Sequence, residues 1–240
     1  MGFARLSWWT LLALVAACTP ELEQPKPESV APSESAVVEE AITAPEPVVA
    51  TVPGAESGVP RAAYQYQRDL IRNARVVWGI AAPIATFAAQ IHQESGWRAD
   101  AKSKYASGLA QFTPATADWI SQLYAGELGA NQPLNPSWAL RALVVYDDRL
   151  WKVIIAVNGC ERMAMTLSSY NGGLGWLQRD IKLAKDAGAD PARWFDNVEH
   201  YSNRAQWAVE ENRGYPRRIL LKLEKLYARW GPTTGCVGIV

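Results

Sequence analysis

Along residues 84–96 the apolar positions recur at Ile84, Phe87, Ala88 and Ile91, the i, i+3, i+4, i+7 stripe of a helix with one buried face. Pro83 ahead of the stripe suits a first helical position, where its missing N–H costs nothing, and Gly96 behind it is a helix stop. Carried one turn further, the stripe reaches Glu94 and Ser95. A carboxyl therefore falls on the apolar side of the last turn, where burial and the carbonyl-rich terminus both disfavour its charge. A carboxylic acid kept protonated near neutrality is what general acid catalysis needs. The plain alternative is a glutamate that turns out to solvent as the helix frays.

The same 3.6-residue period predicts helices over 62–78, 113–124, 138–157, 162–170, 180–187, 197–209 and 217–230. Thr113-Pro114 reads as a cap followed by proline at the first helical position, and Asn158-Gly159 as the stop of the long helix before it. Residues 98–111 are polar, small and irregular, a loop or short hairpin. No period-2 run is sustained, so the fold class is mainly α, with at most a short β-hairpin.

Charge changes the picture at about residue 60. Residues 19–60 carry eight glutamates against Lys26, with eight prolines, whereas residues 61–240 carry 22 Lys and Arg against 16 Asp and Glu. The first stretch cannot bury a core and reads as a disordered tether, roughly 35–40 Å end to end as a flexible coil. The second is a globular body of moderate positive charge, suited to an anionic polymer or envelope surface. Ahead of both, Arg5 and the apolar run 8–17 form an export signal too short to span a bilayer as a helix. It ends Val15-Ala16-Ala17-Cys18, which resembles a bacterial lipobox. That resemblance implies cleavage before Cys18 and lipid on it, hence a membrane anchor. The organisation expected is a signal at 1–17, a lipidated Cys18 and tether at 18–60, and a catalytic body at 61–235.

Cys160 and Cys236 are the candidates for a disulfide in an oxidising compartment, although spacing alone does not bring their Cα atoms within reach. With two histidines, His92 and His200, and no Cys or His spacing of zinc type, no metal centre or cofactor is expected. His92 lies about 200° round the helix from Glu94 and reads as non-catalytic. Asp100, Asp118, Asp147 and Asp148 are the other carboxylates to weigh, and all four read as loop or solvated helix positions. Trp97 is the candidate for stacking on a sugar, with core packing as the alternative.

Four separated segments carry a resemblance. They are Glu94-Ser95-Gly96-Trp97, then Ser107-Gly108-Leu109-Ala110-Gln111-Phe112-Thr113-Pro114, then Ser168-Ser169-Tyr170-Asn171-Gly172-Gly173, and last Glu211-Asn212-Arg213-Gly214-Tyr215-Pro216. In this order they resemble the lytic transglycosylases with a soluble-lytic-transglycosylase, goose-lysozyme-like domain, over about residues 61–230. The resemblance implies a lysozyme-like fold and cleavage of the MurNAc–GlcNAc β-1,4 bond of peptidoglycan, leaving a 1,6-anhydroMurNAc end. It makes Glu94 the sole catalytic acid/base and Ser95 an adjacent hydroxyl that orients substrate. Gln111 becomes a groove residue, and Tyr170 and Asn171 a pair facing the acid, the phenol bonded to it and the amide binding sugar. Glu211 and Tyr215 fall to structural or groove support. Ala110 stands where methionine is usual, Ser169 and Gly173 replace alanines, and Pro216 follows Tyr215 where a β-branched residue is common. The partners implied are glycan strands and, through the anchor, the periplasmic face of a membrane, the outer one by analogy. A monomer is expected and nucleic acid is not. A lysozyme-type hydrolase, a phage enzyme of the same chemistry and a non-catalytic glycan-binding lipoprotein are the alternatives.

Overall fold

The computed structural model describes residues 58–236 and 238–239. The export signal, Cys18 and all but the end of the tether lie outside the described residues. Among the described residues eight α-helices run α1 Gln67–Trp78, α2 Ile84–Ser95, α3 Pro114–Leu123, α4 Ala125–Leu128, α5 Pro136–Val153, α6 Gly159–Gly172, α7 Leu174–Asp186 and α8 Gln206–Arg217. A π-helical stretch, Arg218–Leu223, and a 3₁₀ turn, Glu224–Tyr227, continue directly from α8. No named strand forms among the described residues, and the 98–112 loop holds isolated bridges Lys102–Ser107 and Ser107–Phe112.

Helix α2 is the hub. Ile84 through Ile91 are all buried, including the polar Thr86 and Gln90, so this helix is enclosed on every side over two turns. It packs against α1 and against the π and 3₁₀ stretches after α8. Helix α6 is the second hub, packed on α5, α7 and α8. No helix among the described residues is long and apolar enough to cross a membrane.

Local chemistry explains most boundaries. Thr113 caps α3 by accepting from the Thr116 N–H, with Pro114 at the first position, as expected. Gly96 closes α2 in the left-handed conformation, φ 59°, which glycine adopts without steric cost. The end of α5 differs from expectation. The chain turns extended at Ile154, and Asn158 opens α6 instead of closing α5, its side chain accepting from the Glu161 N–H at 2.9 Å. Asparagine caps helix starts as well as ends, so spacing alone could not choose. The helix expected over 197–209 is also broken. Val198–His200 turns and α8 starts only at Gln206; between them Ser202 Oγ accepts from the Arg204 N–H and Nε, a local bond that competes with helix. The final helix begins earlier than expected, at Gln206, and runs through Pro216. Proline removes one backbone donor, and π hydrogen bonding follows at once.

Cys160 and Cys236 are joined, their Cα atoms 5.0 Å apart, so the C-terminal tail is tied to the start of α6. Trp97 is buried in an aromatic cluster with Tyr227 and Trp230, and its Nε1 donates to Tyr227 Oη at 2.7 Å. It is a core residue, unavailable for sugar stacking. His92 Nδ1 bonds the same phenol at 2.9 Å.

Candidate active site

The last turn of α2, the 103–116 loop and helix start, α5, the end of α6 and α8 surround one cleft of about 430 Å³, within the range of small-ligand sites. Glu94 lies on its wall together with Gln111, Tyr146, Tyr170, Asn171, Glu211, Tyr215 and Arg218. Of the site residues taken from the sequence, Glu94, Gln111, Tyr170, Asn171, Glu211 and Tyr215 thus converge. Ser95 does not. It is buried, its Oγ donating back to the Ile91 carbonyl at 3.3 Å, so the hydroxyl that was to orient substrate faces the interior.

Glu94 is held by Tyr215, whose hydroxyl donates to Oε1. Burial raises the Glu94 pKa from 4.5 to about 7. The Tyr215 hydrogen bond pulls the other way and the nearby Glu211 charge adds to the rise. Desolvation is the largest cause, so the carboxyl is proton-loaded at neutrality chiefly because of where α2 ends. Glu211, Tyr215 and Arg218 occupy i, i+4 and i+7 along α8 and its continuation, one face turned to the cleft. Arg218 Nε donates to Gln93 Oε1 at 3.1 Å.

The two tyrosines exchange the parts expected of them. Tyr170 does not bond Glu94; its hydroxyl donates to the Ala110 carbonyl at 2.7 Å, pinning the 98–112 loop to α6. Tyr215, assigned to support, is the phenol on the acid. The Glu211–Tyr215 spacing of one helical turn was the sequence signal, since it sets both side chains on one face.

The loop opposite is shaped around Gly108 and Gln111. A Cβ on Gly108, at φ 80°, would stand 1.8 Å from the Pro133 carbonyl oxygen, so only glycine fits. Gln111 holds φ 47°, and its Nε2 donates to the carbonyls of Ala101 and Gly108 at 3.2 and 2.9 Å. With the amide donor engaged on the loop, Oε1 is the atom left for a ligand. Asn171 is the complement. Its Oδ1 accepts from Asn212 Nδ2 at 3.0 Å, leaving its amide donor for the cleft. Asn212 is buried and also bonds Ser168 and Arg204, and Arg204 pairs with Asp180 at 2.5 Å. This network, which the sequence reading did not find, fixes α6 against α7 and α8.

Asp147 was also missed. It is not a solvated helix position but a fully buried one, near enough to Glu94, Tyr170 and Tyr215 for their charges to interact. Asp100 and Asp118 are exposed, and Asp148 pairs with Lys152, as expected. Among the described residues, Asp196, Glu199 and His200 bring potential metal-ligand atoms together. Arg217 already pairs with both carboxylates there, and the group does not line the cleft.

Comparison with known proteins adds the family. Residues 69–192 match the model of the transglycosylase SLT domain, a span that includes Glu94, Gln111 and Tyr170 but ends before Tyr215. The membrane-bound lytic murein transglycosylase F of Marinobacter nauticus is 29% identical over 154 residues, 62% of this chain and 28% of that protein. The protein of the same name from Serratia proteamaculans is 34% identical over 121 residues, 50% of this chain and 22% of that one. The chain thus spans about a quarter of the length of these relatives. In structure it resembles the 70 kDa soluble lytic transglycosylase SLT70 of Escherichia coli, with a TM-score of 0.51 and 22% identity over 70% of this chain and 25% of that one, which supports the lysozyme-like fold. With more than half its length matched by the family model, the chain belongs to the transglycosylase SLT domain family.

Proposed function

We propose that this protein is a peptidoglycan lytic transglycosylase, cutting the MurNAc–GlcNAc β-1,4 bond of glycan strands and leaving a 1,6-anhydroMurNAc end. The observation that carries the reading is Glu94, a carboxyl that keeps its proton to about pH 7 inside a cleft. Such an acid delivers a proton to the leaving glycosidic oxygen. The positive charge developing at C1 is relieved by the substrate's own N-acetyl group. Glu94, now a carboxylate steadied by the Tyr215 hydroxyl, takes the proton from the C6 hydroxyl, whose oxygen closes on C1. One carboxyl serves both transfers, where most glycosidases use two. General acid–base help of this kind is worth about 10²–10⁴ in rate. Gln111 Oε1 and the Asn171 amide are an acceptor and a donor for the sugar, and Tyr170 holds the loop that carries Gln111.

Glu211, exposed on the same cleft, favours one second reading, a hydrolase in which that carboxylate activates water. Mass spectrometry of muropeptides released from sacculi separates the two. An anhydro product is one water lighter than the reducing sugar, and a reducing end alone would reject the transglycosylase reading. Sacculi pelleted with the protein but not solubilised would point to a glycan-binding lipoprotein instead. Cys18 is proposed as the lipidated residue, anchoring the body at the periplasmic face of the outer membrane; the names of the relatives include "membrane-bound", which supports an anchored protein.

A further inference from the structure

Near enough to Glu94 to feel its charge, but not on the cleft wall, lies a second carboxyl that the reaction just described does not use. Asp147 of α5 is wholly buried, and neither of its oxygens has a hydrogen-bond partner. The polar side chain that meets it is Gln90 of α2, also wholly buried, whose amide nitrogen and oxygen likewise close no hydrogen bond of ordinary geometry. Gln90 precedes Glu94 by one turn of α2, so the two point along the same face. The other titratable groups around Asp147 are Tyr146 on its own helix, Tyr170 on α6 and Tyr215 on α8. None supplies a salt bridge to it, and among the described residues no Lys or Arg does. An unpaired carboxylate in such a place is too costly, and the group keeps its proton instead.

Resting on the transglycosylase reading, we infer that Asp147 is a resident neutral acid, a positioning residue whose proton-bearing carboxyl, with the Gln90 amide, steadies the Glu94 carboxylate formed when the leaving oxygen takes its proton. Burial raises the Asp147 pKa well above the usual value, and the Glu94 charge raises it further, so Asp147 stays neutral in the very state in which Glu94 is ionised. A neutral O–H dipole near a new anion favours that anion without competing for the proton. A site that needed only packing would be served by an apolar side chain, whose burial carries no desolvation cost.

Two measurements test this independently of the product chemistry. Infrared difference spectra between wild type and Asp147→Asn at pH 7 are expected to show the carbonyl stretch of a protonated carboxylic acid, lost in the variant. Absence from the difference spectrum of any such band lost in Asp147→Asn overturns the inference, whatever the enzyme's product; the Glu94 carboxyl is common to both proteins and cancels. Asp147→Val is expected to fold while kcat falls about tenfold at unchanged KM, with Asp147→Asn recovering to within about threefold of wild type. Wild-type kcat in a folded Asp147→Val protein overturns it as well. Should that variant fail to fold, the infrared band still decides.

Discussion

Two sets of acidic side chains leave solvent in this molecule, and they are treated in opposite ways. On the scaffold, Glu161 accepts the N–H groups of Trp194 and Phe195 at 2.7 and 3.1 Å, Glu199 takes Arg217 and the Asp196 N–H, and Glu224 takes Thr86 and the Thr234 N–H. Each of these buried carboxylates is supplied with donors that favour its charge. At the cleft Glu94 receives one phenol, and Asp147, buried near it, no donor of ordinary geometry. The fold therefore had the means to stabilise buried carboxylates and withheld them in one place. That place is the cleft, where a retained proton is useful.

The comparison breaks most sharply at Glu94. Glu94→Gln is expected to lower muropeptide release by about 10²–10⁴, measured on purified sacculi. The same change is expected to stabilise the fold at alkaline pH. Because the folded pKa is raised, the native state binds the extra proton between about 4.5 and about 7, so wild-type stability declines as pH rises through that window. The variant escapes the decline. Its gain is about 1–2 kcal/mol at pH 8 after allowance for the open cleft, and it vanishes below about pH 4.5, as denaturant titrations at the two pH values would record.

On the scaffold side the balance reverses. Glu161→Ala orphans two buried backbone N–H groups and is expected to cost about 2–4 kcal/mol of stability, by urea unfolding, while activity per folded molecule holds. A loss of kcat without a loss of stability would erase the distinction between the two sets.

A smaller change sharpens it further. Tyr215→Phe removes the bond that holds the Glu94 pKa down, so the alkaline limb of kcat/KM is expected to move to higher pH as the rate falls about tenfold. Tyr170→Phe frees only the Ala110 carbonyl, costs about 1 kcal/mol of stability and leaves the limb in place. If the limb moved in Tyr170→Phe and not in Tyr215→Phe, the roles assigned to the two phenols would be reversed.

Much of this was legible in the chain. The apolar stripe of α2 led to Glu94, and Thr113-Pro114 marked the start of α3, because caps and periodicity are local properties. Tyr170 and Tyr215 could not be told apart, since which phenol reaches an acid depends on how α6 and α8 sit against α2. Pro216, a departure from the family's pattern, precedes a π stretch and leaves Tyr215 aimed inward. Asp147 was hidden by its neighbour. Asp147-Asp148 reads as a solvated pair, yet Leu143, Asp147 and Leu150 share one stripe of α5, and all three are buried. Ser95 failed for the opposite reason, as one step of about 100° beyond Glu94 turns the side chain from cleft to core.

The most direct test is a carboxyl-carbon NMR titration of the folded protein, with the Glu94 resonance assigned by its absence from Glu94→Gln. A midpoint at about 7 is the expected result. A midpoint at the ordinary 4.5 would mean that Glu94 carries no proton at neutral pH, and the account of the cleft as a proton-loaded acid would be wrong.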